Sequence, residues 1–186
     1  ARLVLAARDG NALREVETDI RRDGGQAIFA VADVADEDAM MGLAETALRE
    51  FGGFDTWVNN AGTSIYGKVE DTPMEDQRRL FETNYWGTVI GSRIAATHLR
   101  RRGGALVNVG SVLSDRAVPL QATYCATKHA VKGFTNALRM ELEADGAPVS
   151  VTLIKPAAVD TQLEEHARSL TGAEPLNPPP VYAPEM

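Results

Sequence analysis

Short, nearly uninterrupted apolar runs recur along this chain, and a stretch with helical spacing follows each. The runs are Arg2 to Ala7, Gln26 to Val34, Phe54 to Val58, Ala105 to Ser111 and Val149 to Ile154. They lack strict polar–apolar alternation, as strands buried on both faces of a parallel sheet do. Asn11 is placed to cap a helix carrying Leu13, Val16 and Ile20 that stops at Gly24-Gly25. Asp36 is placed to cap a second helix, with Met40, Leu43, Ala44, Ala47 and Leu48 on one stripe and Gly52-Gly53 closing it. A third helical region spans Met74 to Arg102, broken in the middle by Asn84 and Gly87, and Ala122 to Met140 is an Ala-rich fourth. Regular alternation of strand and helix predicts an α/β domain: a doubly wound parallel sheet with right-handed crossovers, in three αβα layers.

With 186 residues the chain fits one domain with a real core. Its net charge of −7 argues against a general binder of nucleic acid or anionic membranes. No run approaches the roughly 20 apolar residues of a membrane span, and the apolar start, Ala1 to Ala7, is too short for a signal segment. One cysteine, Cys125, excludes an internal disulfide and fits a reducing compartment, so the expected location is cytoplasmic.

The chemistry concentrates between Ser111 and Lys128. On a helix, Tyr124 and Lys128 stand at i and i+4 on one face, about 5–6 Å apart. A free tyrosine, with a pKa of about 10, is a poor base at neutral pH until a nearby positive charge favours the phenolate, and lysine supplies that charge. Ser111 ends an apolar run, and the ends of strands in α/β sheets are where ligands bind. A Tyr-x-x-x-Lys pair taken alone is more often plain helix surface.

Taken together, Asn59-Asn60-Ala61-Gly62, Asn84, Ser111, Tyr124-x-x-x-Lys128 and Pro156-Ala157-x-Val159-x-Thr161 resemble the short-chain dehydrogenase/reductase family, in order and in interval, over essentially the whole chain. The resemblance implies a single dinucleotide-binding domain of Rossmann type over 1–186. Tyr124 would be the general acid or base, Lys128 would lower its pKa and bind the nicotinamide ribose, and Ser111 would hydrogen-bond the substrate oxygen. Asn84 would hold, through its backbone carbonyl, a water in a proton relay. Asp33 and Val34 would contact the adenine ring, Asn60, Ala61 and Gly62 the adenosine side, and Val159 and Thr161, after Pro156, the carboxamide. The implied reaction is hydride transfer between a nicotinamide and a carbonyl or secondary alcohol, a small molecule.

Where NAD-specific members carry an acidic residue after the first strand seen here, this chain has Ala7-Arg8. A guanidinium suits a 2′-phosphate, so NADP(H) is expected over NAD(H). Members often associate through their two long helices, here Met74 to Arg102 and Ala122 to Met140. The stripe Ala130, Phe134, Ala137 and Leu138 is the expected homo-oligomer contact.

One departure is large. The family opens with a strand and a turn of the form Thr-Gly-x-x-x-Gly-x-Gly, and nothing here matches it. That strand belongs between the runs at Leu3 to Ala7 and Phe54 to Val58, so the 186 residues are expected to be part of a longer protein, cut at both ends. Pro156-Ala157 in place of Pro-Gly requires only that φ at Ala157 stay negative. From Gln162 to the end, rich in Pro175, Pro178, Pro179, Pro180 and Pro184, the chain is expected to be a substrate flap, with a disordered tail as the alternative.

His98, His129 and His166 are scattered without zinc spacing, so no metal site is expected. Arg100-Arg101-Arg102 complements a helix C-terminus. Gly87-x-x-x-Gly91 reads as a close helix contact, and Cys125 and Trp57 as packing. Tyr66, Trp86 and Leu120 are candidates for an apolar substrate pocket, equally for core, with Ile65, Leu113 and Gln162 near its rim. Two other functions remain open: a transient-cofactor isomerase or dehydratase, and a catalytically silent dinucleotide-binding or interaction protein of the same fold.

Overall fold

The apolar runs fold as parallel strands. In the computed structural model, which describes residues 1–159, 161, 163, 167–172 and 181–183, β1 (Arg2–Ala7) pairs with β2 (Gln26–Val31), and β5 (Gly104–Val109) lies between β3 (Thr56–Asn59) and β6 (Val149–Ile154). Every one of these pairings is parallel, with Arg2 opposite Gln26, Asn59 opposite Asn108 and Val109 opposite Ile154. The helices are α1 (Gly10–Arg22), α2 (Glu37–Phe51), α3 (Met74–Phe81), α4 (Gly87–Arg102) and α5 (Ala122–Ala144). They pack on the strands as a three-layer αβα arrangement, with α1 on β1 and β2, α4 on β3 and β5, and α5 on β6. Leu99 and Leu106, both fully buried, centre a core that Met40, Trp57, Leu142 and Val151 complete.

Local details differ from the sequence expectation. The cap of α1 is Asp9, not Asn11: its Oδ1 accepts the Asn11 and Ala12 N–H groups at 2.8 and 3.2 Å. The second strand stops at Val31, because the Ala35 N–H turns back to Asp33 Oδ1 at 3.0 Å. The stripe of α2 buries Met40, Leu43, Ala44 and Ala47 but leaves Leu48 exposed. The break expected at Asn84 and Gly87 is a π-helical turn, Glu82–Trp86, between α3 and α4.

The sheet is in two parts. No strand among the described residues lies between β1 and β3, and a cleft of about 760 Å³ runs there. Leu3, Leu5, Trp57 and Val58 line its apolar length, and Arg8, Asp33 and Asn60 to Gly62 gather at the end where the strands terminate. The gap expected between these two strands is therefore present. Short pairings complete the architecture: β4 (Ile65–Tyr66) with β8 (Arg168–Ser169), and β7 (Ala158–Val159) with β9 (Val181–Tyr182). Gln162, His166 and the five tail prolines lie outside the described residues.

Candidate active site

Tyr124 and Lys128 sit one turn apart near the start of α5, and both are buried. The Lys128 Nζ lies 5.7 Å from the Tyr124 ring centre and donates to the Val109 carbonyl, the last of β5, at 3.0 Å. Burial pushes the Lys128 ammonium down from 10.5 to about 8.

Asn84, in the π-helical turn, is almost fully buried and clamps the loop after β3. The Thr63 N–H donates to its Oδ1 at 2.9 Å, and its Nδ2 donates to the Thr63 carbonyl at 2.9 Å and to Thr127 Oγ1 at 3.2 Å. Thr127 in turn donates to the Tyr124 carbonyl at 2.7 Å. The backbone carbonyl of Asn84, the expected water ligand, accepts the Thr88 hydroxyl at 2.9 Å. That bond occupies one lone pair of two.

Ser111 follows β5 and caps a 3₁₀ turn, Val112–Ser114, that packs on α5. Its Oγ accepts the Leu113 N–H at 3.1 Å, which leaves the hydroxyl proton to donate elsewhere. The Pro156 carbonyl accepts the Val112 N–H at 2.9 Å and so ties the end of β6 to the Ser111 turn. Among the described residues only Leu120 is a non-glycine with positive φ, at 67°, so Ala157 meets the backbone requirement. Val159 follows in β7, and Thr161 Oγ1 accepts the Leu163 N–H at 3.5 Å.

Arg8, Asp33, Val34, Asn60, Ala61 and Gly62 share the end of the cleft. Gly62 joins this group to Lys128 and Asn84: a Cβ there would stand 3.6 Å from both Lys128 Nζ and Asn84 Oδ1. Gly87 and Gly91 are close contacts as expected, since a Cβ would meet Val34 Cγ2 at 2.6 Å and Asn59 Oδ1 at 2.1 Å. Cys125 and Trp57 are buried, and Arg100 pairs with Asp145 at the end of α5. No cluster suited to a metal ion occurs among the described residues, and no helix is long and apolar enough to cross a membrane.

Residues 1–171 match the family model described as short chain dehydrogenase. The chain belongs to the short-chain dehydrogenase family. It is 47% identical over 179 residues to an uncharacterized oxidoreductase, YxnA, of Bacillus subtilis, covering 95% of this chain and 50% of that protein. A crystal structure of a short-chain dehydrogenase/reductase from Burkholderia phymatum in complex with NAD superposes with a TM-score of 0.86 at 30% identity, over 89% of this chain and 59% of the other. An alcohol dehydrogenase from the archaeon Thermococcus sibiricus, complexed with 5-hydroxy-NADP, shares the fold with a TM-score of 0.82 at 23% identity, over 94% and 71%. The chain spans about half the length of the curated relatives it matches.

Three features of this short-chain dehydrogenase escaped the sequence reading. Asn59 and Asn108 form a buried network: Trp57 Nε1 donates to Asn59 Oδ1 at 2.8 Å, Asn59 Nδ2 to Asn108 Oδ1 at 2.8 Å, and Asn108 Nδ2 to Thr135 Oγ1 at 2.9 Å. Asparagine inside an otherwise apolar strand was the available signal, since a buried amide demands partners. Second, the Arg168 N–H donates to the Ser64 carbonyl at 3.2 Å and the Leu170 N–H to the Tyr66 carbonyl at 2.7 Å, while Arg168 Nη1 reaches both oxygens of Asp76 at 2.6 Å. The Gly67 N–H donates to the Leu120 carbonyl at 2.8 Å, which ties the end of β4 to the Leu120 loop. Trp86 packs edge-on against Tyr85, whose ring meets Phe134 of α5. The third feature is an Arg79–Asp33 ion pair at the rim of the cleft.

Proposed function

We propose that the protein carrying this chain is an oxidoreductase acting on a small carbonyl or secondary alcohol with NADP(H), and that Tyr124 exchanges the proton. The observation that carries this reading is the buried Lys128 ammonium, 5.7 Å from the Tyr124 ring and next to Gly62 at the cleft end. A dinucleotide fits what the residues offer. Arg8 and Asp33 supply polar groups at the strand ends, and Gly62 leaves room beside Lys128.

Arg8, Asp33, Val34 and Asn60 to Gly62 would hold the adenosine half. Lys128, Pro156, Val159 and Thr161 would hold the nicotinamide half, which when bound supplies or takes the hydride. Lys128 keeps a positive charge beside the Tyr124 phenol, favouring the phenolate that accepts an alcohol proton and easing its return to a carbonyl oxygen. Ser111 donates its hydroxyl proton to the same oxygen and fixes its position. Arg168 to Leu170, paired on Ser64 to Tyr66, would be the fixed part of a flap over the substrate.

The preference for NADP(H) rests on Arg8 after Ala7, where no carboxylate repels a 2′-phosphate. A homo-oligomer through α4 and α5 fits the exposed Ala137 and Met140, although Leu138 of the expected stripe packs inward. The test is a screen of aliphatic and aromatic ketones with the whole protein, comparing Michaelis constants for NADPH and NADH. Reduction with a lower constant for NADPH supports the reading, and a clear preference for NADH overturns the cofactor assignment.

A further inference from the structure

The rim of the cleft holds a second guanidinium besides Arg8. Asp33 follows β2, and both its oxygens are engaged: Oδ1 accepts the Ala35 N–H at 3.0 Å, and Oδ2 accepts from Nη2 of Arg79 on α3, 46 residues along the chain. Asp33 lines the cleft, whereas Arg79 is not among the lining residues. Side chains this exposed, 45% for Arg79 and 32% for Asp33, gain little folding stability from pairing. The pair does fix a direction. A carboxylate held on each oxygen has a set plane and keeps a second lone pair on each for another donor. Partial burial pushes the Asp33 carboxyl up, but the Ala35 N–H, Arg79 and Arg8 outweigh it and hold the group below its ordinary value, so it stays an acceptor.

We propose that Arg79 is a positioning residue for the cofactor: it holds the Asp33 carboxylate toward the cleft, aimed to accept a hydrogen bond from the exocyclic amino group of an adenine nucleotide. The inference rests on reading the cleft end as the adenosine site but not on the choice between NADP(H) and NAD(H). Arg8 would act on a 2′-phosphate, whereas Arg79 acts on the base through Asp33.

The experiment is calorimetric titration of the whole protein with adenosine 2′,5′-bisphosphate, 5′-AMP and 5′-IMP, for wild type, Arg79→Gln, Arg79→Lys, Asp33→Asn and the Arg79→Gln/Asp33→Asn double variant. Arg79→Gln should weaken both adenine ligands by a similar factor, about tenfold for one charge-assisted hydrogen bond, and leave 5′-IMP, which lacks the amino group, unmoved. Asp33→Asn should lose as much, the double variant no more than either, and Arg79→Lys should recover most of the loss, because the two residues act as a unit. A purely structural Arg79 would lower the melting temperature without separating adenine from hypoxanthine ligands. Unchanged binding by Arg79→Gln, additive losses, or a loss confined to the 2′,5′-bisphosphate would overturn the proposal. If wild type binds none of the three, the adenosine-site reading itself fails, and the proposal with it.

Discussion

The Lys128 ammonium lies 5.7 Å from the centre of the Tyr124 ring and is anchored at 3.0 Å on the carbonyl that ends β5. Keeping it there has a cost that depends on pH. Burial lowers Lys128 from 10.5 to about 8, so between these values the unfolded chain holds a proton that the folded chain has released. Stability due to this group therefore rises with pH from about 8 to 10.5, by up to about 3 kcal/mol. Lys128→Met should lack that rise. Urea denaturation across this range should show wild-type stability rising relative to the variant as pH increases, and a pH-independent difference would count against the burial argument.

Asn84 fastens three elements, and its removal should be felt in all of them. Asn84→Ala removes the partner of the Thr63 N–H and carbonyl and one of the two bonds of the Thr127 hydroxyl. The expected loss is about 3 kcal/mol, whereas Thr127→Val, which removes one Asn84 bond and the Thr127–Tyr124 bond, should lose about 1–2 kcal/mol. Thermal melts rank the two, and equal losses would mean the Thr63 clamp is not the main contribution.

Two helical glycines should respond oppositely to alanine. A Cβ at Gly91 would stand 2.1 Å from Asn59 Oδ1, inside the Trp57–Asn59 hydrogen bond, whereas a Cβ at Gly42 meets nothing within 4 Å. Gly91→Ala should therefore destabilise by about 3 kcal/mol, and Gly42→Ala should stabilise by about 0.5–1 kcal/mol. Denaturation midpoints check both signs.

What was legible in the sequence was local. β1 and β5 read as strands because parallel strands buried on both faces show unbroken apolar runs, and Tyr124 and Lys128 could be paired because four residues on a helix make one face. Ranges were overestimated where apolar residues continue past a turn: Ala32 to Val34 look like strand, but the Asp33 carboxylate captures the Ala35 N–H and ends it. Asp9 and Asn11 are both capable caps, and the structure selects Asp9. Partners far apart in sequence left no periodic trace. Asn59 meets Asn108 49 residues away, Arg79 meets Asp33 at 46, and Arg168 meets Asp76 at 92.

The outer face of α5 is the proposed contact between copies. Ala137 and Met140 are exposed there, and Phe134 is half-buried against Tyr85. Ala137→Arg should dissociate the oligomer without lowering monomer stability, because an unpaired charge at an interface costs far more than one in water. Light scattering after size exclusion reads the mass directly, and an unchanged mass would move the interface elsewhere.

The most direct test of the central claim is single-turnover reduction of the best ketone from the screen by Tyr124→Phe in the whole protein, with NADPH affinity measured alongside by fluorescence. The account predicts a rate loss of at least about 10²-fold, the lower end for a general acid, with NADPH affinity unchanged. Reduction at the wild-type rate would contradict it.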